Sequence, residues 1–249
     1  MEQLTSRKNK IIAHLRQLGK ERAYRQERRE FICDGHKLLT EALQSGAEVK
    51  TVLWREKPMF ELPGNIETYT APDSLFDYVS PMQNSPGPIF SLKMQPESDG
   101  LTGDRVIVLE NVQDPGNVGT VVRTANALGY DAVVLVGDCA DIHNPKTARA
   151  TMGAIFRQRV LRTDASGLRA MLDSRGLRLC GAALTAKAKD LRDTELSGCA
   201  VAIGSEGRGL SAELLDMCDS QLIIPMQPGS ESFNAAVAAA IVMWETVRA

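Results

Sequence analysis

From Arg105 onward the chain carries short runs that are apolar throughout: RVIVLENV (105–112), AVVLV (132–136), RLCGAAL (178–184), VAIG (201–204) and QLIIP (221–225). A strand with one wet face alternates apolar and polar residues, so a strand apolar on both sides must be covered on both sides. Helical stretches separate the runs: Asn117 to Leu128, Lys146 to Met152, Ala165 to Ser174, Ser211 to Met217, and a final one for which Ser232 is the expected N-cap. Strand alternating with helix predicts an α/β domain with a parallel sheet. Ligands of such sheets sit beyond the carboxyl ends of the strands. Here two of those ends open into loops able to take unusual backbone angles, Gly204-Ser-Glu-Gly-Arg-Gly209 and Pro225 to Glu231.

The first ninety residues read differently. A helix over 5–29, broken near Gly19, precedes strands at Phe31–Cys33, Val49–Trp54, Glu67–Thr70 and Gly87–Met94, with helices after Gly35 and from Pro72 to Val79. This is a smaller α/β unit over 1–94. The polar stretch QPESDGLTGD (95–104) has no periodicity and is placed as a linker to a second domain over 105–249. Residues 1–30 hold nine Lys/Arg against four acidic side chains in a chain of net charge −2, an asymmetry that suits a polyanionic partner. Five cysteines without a C-x-x-C pair point to buried thiols in a reducing compartment rather than to disulfides or a metal site. No apolar run reaches the roughly 20 residues a membrane span needs, and the basic N-terminus lacks the apolar core of a secretory signal. The expected location is the cytoplasm.

Three stretches carry chemistry. In ENVQDPGNVGTVVRTANALG (110–129), Gly116 and Gly119 bracket a turn out of a strand, and a helix starts near Asn117 or Val118. A helix start after a glycine turn can cradle an anion. The spacing is neither a dinucleotide fingerprint nor a P-loop. On its own, Asn117 reads as an N-cap and Arg123 as a surface residue. IGSEGRGL (203–210) sets Glu206 between glycines, and IIPMQPGSESFNAAVAAAI (223–241) places Ser232 and Asn234 at a helix start. His143 has no partner pattern around it.

Taken together, Asn117 with Arg123, then G-S-E-G-x-G-L (204–210), then P-M-x-x-x-x-S-x-N-A-A-V-A (225–238) resemble the signature of the SpoU (TrmH-like) RNA 2′-O-ribose methyltransferases across 105–249. NPKTARATMGAIFR (144–157) looks like the family's stretch between motifs. FICDGHKLLTEALQSGAEVKTVLW (31–54) is similar to the L30e-like substrate-binding domain of many members. Phe233 stands where leucine is usual and Ala235-Ala236 where Val-Ser is common, both keeping small or apolar character.

The resemblance implies a catalytic domain with a deep trefoil knot, S-adenosylmethionine as methyl donor, and a homodimer formed through the knotted domain. It implies catalytic roles for Arg123, Asn117, Glu206, Ser232 and Asn234, and a cofactor cradle of Leu184, Gly204, Ile224, Met226 and Phe233. Arg123 would act as base or as electrostatic stabiliser. The alanines of the last helix suit close helix approach at a dimer interface. Arg7, Lys8, Lys10, Arg22, Arg25, Arg28 and Arg29 are the expected phosphate contacts of the N-terminal unit. Ribosomal RNA of the large subunit is the favoured substrate, ahead of tRNA. The competing readings are a non-catalytic RNA-binding or ribosome-associated protein, and a nucleotide-dependent enzyme on an ordinary doubly wound sheet.

Overall fold

Two compact units emerge, Met1–Pro96 together with Asp141–Phe156, and Glu97–Ala140 together with Arg157–Ala249. The computed structural model describes residues 1–55, 57–96, 100–229 and 231–248, so residues 97–99 of the expected linker lie outside the described residues.

The first unit runs β1 (Glu2–Gln3), α1 (Lys10–Lys20), α2 (Arg22–Arg28), β2 (Glu30–Asp34), α3 (His36–Gln44), β3 (Val49–Trp54), β4 (Glu67–Thr70), α4 (Asp73–Val79) and β5 (Ile89–Lys93). Its sheet order is β1-β4-β3-β5-β2, with β5 antiparallel to both neighbours. Asn9 caps α1, accepting from the Ile11 N–H at 2.8 Å, and Ile12, Leu15 and Leu18 form its buried stripe. The break between α1 and α2 falls at Glu21, in extended conformation, near Gly19 as expected.

The second unit holds β6 (Val106–Glu110), α5 (Pro115–Ala127) and β7 (Ala132–Val136); α6 (Pro145–Ala150) follows in sequence but packs in the first unit. The chain continues through β8 (Val160–Thr163), α7 (Ala165–Asp173), β9 (Arg178–Ala182), β10 (Lys189–Asp190), β11 (Cys199–Ile203), α8 (Ala212–Met217), β12 (Ser220–Ile223) and α9 (Ala235–Arg248). The strand order is β10-β12-β9-β11-β6-β7-β8 and every neighbouring pair is parallel. Every residue of β6, β7 and β11 is buried, as a sheet covered on both faces requires.

Segment 141–156 joins the first unit for two reasons. Ala148, Ile155 and Phe156 share a core with Phe31, Leu39, Val52, Trp54, Phe90 and Leu92. Arg25 and Asp141 form a buried ion pair at 2.6 Å.

Candidate active site

The segment after β6 is shaped by local hydrogen bonds. Asn111 sits in the left-handed region and its Oδ1 accepts from the Asp138 N–H at 2.8 Å. Asp114 caps α5, accepting from the Asn117 N–H at 2.8 Å, and Pro115 takes the first helical position, where its missing N–H costs nothing. The sequence expectation of a helix starting at Asn117 or Val118 is therefore two or three residues late. The consequence matters: with Asp114 as the cap, the Asn117 side chain is available for other partners.

Those partners come from distant parts of the chain. Asn117 Nδ2 donates to Glu206 Oε1, and Asn234 Nδ2 donates to Asn117 Oδ1 at 3.0 Å. Asn234 Oδ1 meanwhile accepts from the N–H groups of Ala236 and Val237 at 2.9 and 3.3 Å. Asn234, not Ser232, thus caps α9, which begins at Ala235. A carboxylate can only accept and an N–H can only donate, so each amide orientation in the Glu206–Asn117–Asn234 chain is fixed by its neighbour.

The loop that carries Glu206 is closed by its own backbone. Ser205 and Gly209 exchange both hydrogen bonds, at 3.2 and 2.9 Å. A Cβ on Gly204 would lie 2.1 Å from the Gly209 carbonyl carbon and 2.3 Å from the Leu210 nitrogen, so only glycine fits. The sequence pattern did not mark the loop's other anchor. Glu110, buried at the end of β6, accepts from Ser211 N at 2.7 Å and Ser211 Oγ at 2.6 Å, and Ser211 Oγ in turn caps α8 by accepting from Leu214 N. The signal was a carboxylate ending an otherwise apolar run, since an acid in that position must find donors.

Pro225, Met226, Gln227, Ser232 and Phe233 line a cavity of about 450 Å³. Of the expected cradle, Gly204 is buried at the end of β11, Ile224 and Met226 are half-buried, and Leu184 and Phe233 stand exposed, 61% and 36%. Exposed Phe233 at the cavity wall is apolar surface left for a ligand, while Leu184 is not among the residues that line it. Arg123 is exposed on α5. Burial pushes the Cys180 and Cys199 thiols up, and Cys218 up to about 12, which removes them as nucleophiles at neutral pH.

The alanines of α9 divide between two settings, with Ala238 and Ala240 half-buried. Ala235, Ala236 and Ala239 are buried within their own unit, while Val237 and Trp244 are exposed.

On the first unit, Arg7, Lys8, Lys10, Arg22 and Arg28 are exposed, and Arg29 is half-buried with Nη2 3.4 Å from the Gln95 carbonyl. Arg25 departs from the expectation. It is buried, Nη1 donates to the Leu18 carbonyl at 2.9 Å and Nη2 to Asp141, so its charge is satisfied internally and it has no phosphate to meet.

The profile of the SpoU rRNA methylase family matches residues 104–244, more than half the chain. The chain belongs to the SpoU rRNA methylase family. Within this SpoU chain, an MRM3-like substrate binding domain matches residues 9–88. Among SpoU relatives, the 23S rRNA (guanosine(2553)-2′-O)-methyltransferase RlmP of Bacillus subtilis is 34% identical over 248 residues, 98% of each chain. The AdoMet-bound rRNA methyltransferase of Sinorhizobium meliloti superimposes with a TM-score of 0.87 at 25% identity, over 99% of this chain and 97% of that one. A putative RNA methyltransferase of the TrmH family from Porphyromonas gingivalis gives 0.84 at 30% identity, over 95% and 96%.

Proposed function

We propose that the chain transfers a methyl group from S-adenosylmethionine to a ribose 2′-hydroxyl of large-subunit ribosomal RNA. The observation that carries this reading is the hydrogen-bonded chain Glu206–Asn117–Asn234, drawn from three separate motifs, in the unit that also holds Arg123 and the cavity at Met226. Two relatives alike over nearly the whole length bear ribosomal RNA names. Others are named for tRNA or rRNA without distinction, one alike over 98% of the chain and several over 159 residues, 63% of it.

S-adenosylmethionine supplies a methyl group on a positively charged sulfonium. Leu184, Gly204, Ile224, Met226 and Phe233 would hold it, and they fit such a molecule: apolar Leu184 and Phe233 are exposed for a flat base, and Gly204 lets the Glu206 loop fold tightly back at the strand end. The remaining work is alignment, worth roughly 7–11 kcal/mol for a well-oriented pair. A guanidinium offers donors and no acceptor, so the part of Arg123 is to stabilise the developing alkoxide and hold the neighbouring phosphate, the proton leaving to water or phosphate. Glu206 and Asn234 lock the Asn117 amide, and Ser232 at the cavity rim holds the ribose. The first unit binds the RNA through Arg7, Lys8, Lys10, Arg22, Arg28 and Arg29, as an L30e-like substrate-binding domain.

The knot finds support in the strand order. β12 is formed last yet lies between β9 and β10, which precede it. The homodimer finds support in Val237 and Trp244, seven residues apart on one exposed face of α9. The proposed location is the cytoplasm, where such RNA resides; among the described residues no helix is long and apolar enough to cross a membrane. The test is transfer of labelled methyl from S-adenosylmethionine to 23S ribosomal RNA, wild type beside Arg123→Ala, with mapping of the product. Label on a ribose 2′-oxygen from wild type alone is the expected result. Equal label from both proteins would remove Arg123 from the chemistry, and no label on RNA or on ribosomal particles would defeat the proposal.

A further inference from the structure

The turn joining β1 to α1 is anchored at both ends. Leu4 is buried and its N–H donates to the Thr70 carbonyl at 2.8 Å, while Asn9 caps α1. Between them Ser6 accepts twice, at Oγ from the Lys8 N–H at 3.2 Å and at its carbonyl from the Asn9 N–H at 3.1 Å. Arg7 therefore projects from a fixed backbone, and its guanidinium carbon stands 4.4 Å from the centre of the Tyr78 ring. Arg16 of α1 stands 3.6 Å from the centre of the same ring and donates from Nη1 to the Tyr78 carbonyl.

Two cations thus share one ring. They lie within the sum of those distances of each other, inside the roughly 8–10 Å over which charges still interact at physiological salt. Neither has a carboxylate partner among the described residues. The two acids on the helix that carries Tyr78, Asp73 and Asp77, are both held by Arg55, at 2.9 and 2.6 Å. A tyrosine face returns only about 0.5–1 kcal/mol per cation at an exposed site, so pinning two like charges together gains the fold little. A guanidinium stacked by its face keeps edge N–H groups for an oxyanion, and paired guanidiniums suit phosphate.

We propose that Arg7, Tyr78 and Arg16 form a clamp for an RNA phosphodiester. It deepens the RNA-methyltransferase reading, on which it rests, by adding Arg16 and Tyr78 to the RNA surface and giving Arg7 a defined partner. Each phosphate neutralised contributes about 0.7–0.9 to the slope of log affinity against log salt, which is roughly 5- to 8-fold in affinity at 0.1 M salt.

The experiment measures binding of the full-length protein to transcribed 23S ribosomal RNA across a series of KCl concentrations. Arg7→Gln is the primary variant because Arg7 is exposed and outside the core. It is expected to lower the slope by about 0.7–0.9 and to weaken binding roughly 5- to 8-fold at 0.1 M, with an unchanged melting temperature. Arg7→Lys should keep the slope, and Arg7→Gln/Arg16→Gln should lower it by the same amount of about 0.7–0.9, because one phosphodiester contact is lost in either case. Arg192→Gln, an exposed arginine of the second unit paired with Asp190 at 2.6 Å, should leave it unchanged. An unaltered slope in Arg7→Gln, or an equal fall in Arg192→Gln, overturns the clamp. Methyl transfer by wild type, measured on the same preparations, reports on the enzyme separately. Transfer with a slope insensitive to Arg7 defeats the clamp alone, whereas no transfer with a sensitive slope defeats the catalytic reading and leaves the clamp standing.

Discussion

Gly204→Ala adds one methyl group, and its effect can be worked from the geometry. The new carbon would sit 2.1 Å from the Gly209 carbonyl carbon, 2.2 Å from its oxygen and 2.3 Å from the Leu210 nitrogen. Carbon atoms pack at about 3.5–4.0 Å, so the loop must retreat by more than about 1 Å, and all three obstacles are backbone. That loop bears Glu206, which accepts from Asn117 Nδ2. A displacement of about 1 Å at a catalytic group can cost on the order of 100-fold in rate, and overpacking typically costs about 1–3 kcal/mol of stability. Gly207 in the same loop provides the control, because a Cβ there meets nothing within 4 Å. Gly207→Ala should keep its rate and stay within about 0.5 kcal/mol of wild type. The assay is single-turnover methyl transfer with thermal melting of both variants, where each kcal/mol moves the midpoint by roughly 2–4 °C. If Gly204→Ala turns over and melts like Gly207→Ala, the account of this loop is wrong.

Further outcomes follow from the same contacts. Asn234→Asp keeps an acceptor for the Ala236 and Val237 N–H groups but cannot donate to Asn117, so melting should hold while the rate falls; Asn234→Ala should also lose about 1 kcal/mol of helix cap. Arg25→Ala strands a buried carboxylate and should cost about 3–5 kcal/mol in denaturant unfolding at neutral pH. Burial pushes the Asp141 carboxyl up, but Arg25 and the His143 N–H outweigh it and hold it below the usual carboxylate range. The pair's contribution is therefore present at neutral pH and is lost as pH falls below 4 through that lowered value, so the gap between wild type and Arg25→Ala should narrow there. A fragment ending at Pro96 lacks Ala148, Ile155 and Phe156 from its core and should fail to give a cooperative melt, which one carrying 141–156 through a short linker should recover.

Much of this molecule was legible in its sequence. Unbroken apolar runs disclosed a sheet covered on both faces, and β6, β7 and β11 are indeed buried along their full length. Asn117, Glu206 and Asn234, separated by scores of residues, proved to be bonded neighbours. What escaped has physical causes. β1, β8 and β10 lie at sheet edges and have two to four residues each, too few for a period to register. Helix starts were misplaced because several residues could cap, and Asp114 and Asn234 are the ones whose side chains accept from the first-turn N–H groups. Arg25 looks like its basic neighbours, and only Asp141, 116 residues away, turns it inward. Glu110 shows the same limit, since its donors at Ser211 lie 101 residues off.

The span of the central hydrogen-bonded chain has a consequence for synthesis. Asn117 must wait 89 residues for Glu206 and 117 for Asn234. Chains fold as they leave the ribosome, earlier segments first, and contacts this remote in sequence form late. A nascent chain can complete the first unit's sheet, and most of the second, while the proposed catalytic centre is still missing one member. Activity therefore switches on near the end of translation rather than growing with length, and a product truncated ahead of Asn234 would be inert. For an enzyme whose proposed substrate belongs to the ribosome, the machine that makes it is shielded from its chemistry until the work is nearly done.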